Sequence, residues 1–196
     1  AADKALTQAM AEADSDLRCT LLSALAIRKN SAAIAPYAAD KDTVVATAAL
    51  AALGRIGDAD ALKALDKPAA ANLADARLTA LAACIGTLAE NGKSKDAARA
   101  AKPLLADAAM APAIRSAAAR ALLLSDAAFF ATGIKDASPM VRQTVIRSAN
   151  EVPVSVLAAA LKDATPADQA ALVAKLAARD AKACTPAVAE LLKSDQ

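Results

Sequence analysis

Between Val45 and Asp58 the chain reads VATAALAALGRIGD, and its apolar residues fall at Val45, Ala49, Ala52, Leu53 and Ile56. That spacing builds one continuous helical face. Gly54 and Gly57 loosen the end of the helix, and Asp58 opens the segment that follows. The same pattern returns along the chain. With Val45 as position 1, the counterparts are Leu17, Ala76, Ile114, Val141 and Asp168. Successive counterparts are separated by 28, 31, 38, 27 and 27 residues. Position 5 holds Leu21, Ala49, Ala80, Ala118, Val145 and Leu172, and position 9 holds Leu25, Leu53, Cys84, Leu122, Ala149 and Leu176. Self-similarity at such a period marks a solenoid, in which stacked units bury one another's apolar faces.

Each of these helices follows a shorter apolar-faced segment. The pattern predicts these segments over 4–13, 32–39, 59–65, 96–106, 127–134 and 154–161, with a closing helix over 186–192. The reading is therefore about six antiparallel helix pairs plus a C-terminal helix, as one array over residues 1–196. Ser138-Pro139, Thr165-Pro166 and Thr185-Pro186 each place a hydroxyl at an expected N-cap and proline at the first helical position. Asn72 to Asp75 and Thr165 to Asp168 set an acid three residues after the cap. Asn91 to Ser94 reads as the best loop, inside the longest repeat.

Composition agrees with an all-α chain. Alanine, the best helix former, fills roughly a third of the residues, and aromatics are 2%. Small side chains suit thin layers of closely packed helices better than one large core. The net charge is +2, with −1 in residues 1–98 and +3 in residues 99–196. Neither half is basic enough to imply nucleic acid or an anionic membrane surface. The uncharged apolar runs, such as Val44 to Gly54, are far short of the ~20 residues of a membrane span. The AADKA start is what a small-residue signal-peptidase site leaves, which favours an exported protein; a piece excised from a longer chain would begin the same way. Three widely spaced cysteines, Cys19, Cys84 and Cys184, weigh against export and form no disulfide framework.

VATAALAALGRIGD, IRSAAARALLL from Ile114 and VRQTVIRSA from Val141 resemble the second helix of HEAT repeats, of the short bacterial kind related to the phycobilisome lyase family. The resemblance covers nearly the whole chain. It implies a right-handed α-solenoid, HEAT/armadillo-like, with the second helices lining the concave side. The repeat of Val45 lacks the family's arginine, and the repeat of Asp168 lacks the valine-arginine pair.

Little in the chain carries chemistry. Without histidine there is no His-based triad or His-rich metal site. No CxxC pair, phosphate loop or GxGxxG occurs. The acid pairs Asp14/Asp16, Asp40/Asp42 and Asp58/Asp60 lie at expected turns, where Asp caps backbone N–H groups. Arg18, Arg77, Arg115 and Arg142 recur at position 2 and read as a structural ladder bonding turn groups, the usual role of this arginine in HEAT families. Positions 3, 7, 10 and 14 are expected to point away from the core. On that stripe Leu78, Ile85 and Leu123 would form an apolar patch, with Arg120 and Arg147 side by side one repeat apart. The expected function is a non-enzymatic scaffold or interaction module that binds a protein partner on its concave surface. No cofactor or metal is expected. The alternatives are a nucleic-acid-binding solenoid of the DNA-glycosylase type and, from the resemblance alone, a chromophore lyase.

Overall fold

A computed structural model describes residues 2–194 and is helical throughout, with no strand among the described residues. No helix is long and apolar enough to cross a membrane among the described residues. The chain divides into two compact units, Ala1–Ala100 and Ala101–Gln196.

In the first unit, α1 (Ala2–Glu12) precedes α2 (Ser15–Ile27), and α3 (Ser31–Ile34) runs into a 3-10 turn, Ala35–Ala39, before α4 (Thr43–Ile56). Then come α5 (Ala59–Leu65), a 3-10 turn at Ala71–Leu73, and α6 (Ala74–Glu90). Asp14, Asp42 and Asp58 cap α2, α4 and α5, accepting from Leu17 N at 2.9 Å, Val44 N at 2.8 Å and Ala61 N at 2.7 Å. Gly57 ends α4 in the left-handed region at φ +59°, a conformation that side chains resist. Its hydrogen also faces Thr87, where a Cβ would lie 2.3 Å from the threonine Cβ. The core runs through Leu22, Leu25, Ile34, Val45, Leu53, Leu65 and Leu88.

α7 (Ser94–Ala106) crosses the division between the units. The second unit continues with α8 (Pro112–Ser125) and a 3-10 turn, Ala127–Phe129, leading into α9 (Phe130–Gly133). α10 (Pro139–Arg147) ends in the 3-10 turn Ser148–Glu151, and α11 (Val154–Ala160) in the turn Leu161–Asp163. α12 (Pro166–Arg179) and α13 (Ala181–Ser194) close the chain. Phe130, Ile134, Val145, Leu157, Leu161, Leu172 and Leu176 form one buried cluster.

Three capping expectations need correction. Asn72 is exposed inside a 3-10 turn, and α6 starts after Leu73 without a side-chain cap. Ser138 makes no cap bond, although Pro139 does sit in the first turn. Thr185-Pro186 does not open the last helix. Pro186 lies inside α13, which Asp180 starts by accepting from Lys182 N and Ala183 N, both at 3.0 Å. Asp180 supplies the cap five residues before Thr185, and Pro186, sixth in the helix, gives up one intrahelical bond, the one its N–H would have made to Lys182 O.

Candidate functional site

The position-2 arginines share one geometry. Each follows the start of a long helix and reaches back to the carbonyl end of the segment before it. Arg18 Nε donates to Met10 O at 3.1 Å, Arg77 Nη1 to Leu65 O at 2.7 Å, and Arg115 Nε to Leu105 O at 3.1 Å. Arg142 Nη1 donates to Asp136 O at 2.9 Å and Ala137 O at 3.1 Å. A cation there satisfies carbonyls that the ending helix leaves unpaired and meets the negative end of its dipole. In the last pair Gln169 takes the place of arginine, with Nε2 at 3.3 Å from both Leu161 O and Ala164 O.

Three of these arginines also face a carboxylate. Arg18 lies 3.7 Å from Asp40, Arg115 2.8 Å from Asp136, and Arg142 2.7 Å from Asp168. Asp168 is the most heavily bonded acid. Besides Arg142 it accepts from Thr165 Oγ1 at 2.7 Å and Gln143 Nε2 at 3.1 Å, while its own N–H donates to Thr165 Oγ1 at 3.3 Å. Burial alone would push its carboxyl up, but the bonds from Arg142 and Thr165 prevail and hold it below the ordinary value of 3.8. Arg77 has no carboxylate partner among the described residues. Two of the capping acids also tie successive helices together: Ser15 donates to Asp42, and Ser31 to Asp58 at 2.7 Å.

The expected apolar patch does not form. Ile85 is 0% exposed and Leu123 7% exposed; Leu78 is half-buried. Position 10 is the source of the error. Gly54, Ile85 and Leu123 share it and are all buried. In α4 a Cβ on Gly54 would fall 2.7 Å from the carbonyl oxygen of Ala80, so this position meets the neighbouring long helix. In α8, Leu123 joins the cluster of Phe130 and Ile146. A helix inside a stack is buried along its flank as well as its inner face, which narrows the open stripe. Position 3 departs too: Ser116 is buried, and its hydroxyl has no hydrogen-bond partner among the described residues.

Position 7 is buried at Ala82 in α6, but in α8 and α10 it carries the half-buried Arg120 and the exposed Arg147 and brings them together. Both line a shallow concavity of about 270 Å³ with Thr144, Ser148 and Glu151. The two arginines are not equivalent. Arg120 Nη1 donates to Ser148 Oγ at 3.1 Å and pairs with Glu151. Arg147 is exposed and makes no ion pair or side-chain hydrogen bond among the described residues. The pocket thus holds one neutralised guanidinium and one uncommitted one. No signal in the sequence separated the two, because Glu151 lies outside the long helices on which the register was built.

The thiols are free, with Cys84 and Cys184 buried and Cys19 half-buried. Burial, reinforced by the Asp58 charge, pushes Cys84 up to about 12, so it is no nucleophile at neutral pH. No group of His, Cys, Asp or Glu is arranged to hold a metal among the described residues. No protein-family model matches the chain, and no curated protein matches it.

Proposed function

We propose that the chain is a HEAT-type α-solenoid acting as a non-enzymatic interaction module, and that the α8–α10 face of its second unit takes an acidic side chain of a partner protein. The observation that carries this is Arg147. It stands uncommitted beside Arg120 in a concavity whose other groups are hydroxyls and one paired carboxylate. Arginine's planar fork and permanent charge suit it to bind a carboxylate in two places. Glu151 at the same rim, with a net charge of only +2 on the chain, favours a single carboxylate over a polyanion. Ile85 and Leu123 drop out of the binding surface because they are packed inside.

The test is affinity capture with the intact chain as bait, comparing wild type, Arg147→Glu and Lys63→Glu. Lys63 is exposed on α5, away from this face in sequence, and serves as the control. Arg147→Glu is expected to lose the captured partner while keeping the helical signal and melting temperature of wild type. Equal capture by all three proteins would remove Arg147 from the site.

A further inference from the structure

The first unit holds a larger and more apolar cavity, independent of the Arg147 site. It has a volume of about 480 Å³ and opens between the 3-10 turn Ala35–Ala39 and the segment 66–70. Leu50 and Leu73, both buried, contribute to its lining, and Pro36, Pro68 and alanines supply the rest of its apolar surface. Such a volume is that of a small-molecule site.

Three charged groups reach this apolar space: Asp40, Lys67 and Arg77. Asp40 is committed, since Oδ1 accepts from Asp42 N at 2.9 Å and Oδ2 lies 3.7 Å from Arg18. Lys67 is exposed and makes no ion pair among the described residues. Arg77 spends Nη1 on Leu65 O. Its counterparts Arg18, Arg115 and Arg142 each face a carboxylate as well, and Arg77 faces none among the described residues. Where, among the described residues, the position-2 arginine lacks an acid, a cavity brings it and a lysine without an ion pair to a largely apolar space.

We infer that this cavity binds a small aliphatic monocarboxylate, its hydrocarbon body against Leu50, Leu73 and the alanines and its carboxylate between Lys67 and Arg77. The ligand's acid would fill for Arg77 the place that Asp40, Asp136 and Asp168 fill for the other three arginines. A peptide fits less well. Methyl groups and proline rings offer no partners for its amides, and amides buried without partners are costly.

Calorimetric titration of the full chain with octanoate tests this, using octanol, acetate and a short acetylated alanine peptide with a free C-terminus as comparison probes. Octanoate should bind saturably, and octanol and acetate more weakly, because each carries only half of the recognition. Lys67→Glu should weaken octanoate binding by about fivefold or more, the worth of a half-exposed ion pair. Ala64→Leu, which fills the cavity from its lining, should abolish it. Both variants should keep wild-type helicity and melting, and neither should affect capture at Arg147. The inference is overturned if octanoate shows no saturable binding at millimolar concentration, if both variants bind it like wild type, or if the peptide binds more tightly than octanoate.

Discussion

The two units tie their successive helices together by different chemistry. In the first, the ties are mostly neutral donors on carboxylates: Ser15 on Asp42, Ser31 on Asp58 and Asn30 on Asp3, each spanning 27 residues. Its ion pairs are loose or exposed, as in Arg18–Asp40 at 3.7 Å or Arg28–Asp3. Close backbone approach at Gly54 and the buried apolar core add to these ties. In the second unit, beside the more exposed Arg120–Glu151 and Lys135–Asp163 pairs, two ties are guanidinium–carboxylate pairs withdrawn from water. The side chains of Arg115 and Asp136 are each 13% exposed, and those of Arg142 and Asp168 are 15% and 4% exposed. A hydroxyl tie lost leaves a carboxylate that water can still reach. An arginine lost from the second unit leaves a charge stranded in the interior, so equal geometry conceals unequal vulnerability.

The largest effect should come from Arg142→Ala, which strands Asp168. The expected loss is ~3–5 kcal/mol in a denaturant titration, as for other buried pairs deprived of one partner. Ser31→Ala in the first unit should cost only ~1 kcal/mol. Comparable losses in the two variants would erase the contrast. Close behind is Leu53→Ala, at a fully buried position of α4, with ~2–5 kcal/mol for lost contact and the cavity left behind. A loss under half a kcal/mol would mean that the long-helix register is wrong.

Gly54→Ala should cost ~1–3 kcal/mol by forcing apart α4 and the Ala80 backbone, although alanine is otherwise the better helix former. No destabilisation would show that the close approach is not tight.

Acid should affect the second unit's pair at a defined place. The Asp168 carboxyl lies below 3.8 in the fold, so the unfolded chain binds its proton first as pH falls. Its stabilisation is complete above that value and is lost as pH drops through the lower folded value. Asp42 is also lowered, chiefly by the Ser15 hydrogen bond, but it is only half-buried and has no close guanidinium partner, so it contributes less. Unfolding midpoints measured against pH should therefore hold steady down to about pH 5 and fall below it. In Arg142→Ala the fall should be shallower, because without the guanidinium burial pushes the Asp168 carboxyl back up and the unfolded chain no longer binds its proton ahead of the fold. An equally steep fall in both proteins would mean that Arg142 does not set the Asp168 titration.

Much of this was legible in the sequence because it depends on periodicity. α5 runs over Ala59–Leu65 as the pattern predicts, and the long helices start three residues before Arg18, Arg77, Arg115 and Arg142. Periodicity says which side of a helix is apolar, but not how far burial extends around it. That depends on neighbours distant in sequence, and so Gly54, Ile85 and Leu123 were misplaced at the flank. Local chemistry misled where two caps competed, as Asp180 and Thr185 did before α13. The nearness of Arg120 and Arg147 followed from their shared position. The pairing that leaves only Arg147 uncommitted did not, because Glu151 sits in a 3-10 turn beyond any register.

The most direct measurement of the proposed role follows the arginine side-chain signals of the isotope-labelled chain while an acidic peptide is added, with the peptide's amidated counterpart as the neutral comparison. The account predicts saturable shifts at Arg147, smaller ones at Arg120 and at the Thr144 and Ser148 amides, and none with the amidated peptide. Shifts spread evenly over the lysines and arginines of both units, or the same response to both peptides, would contradict it.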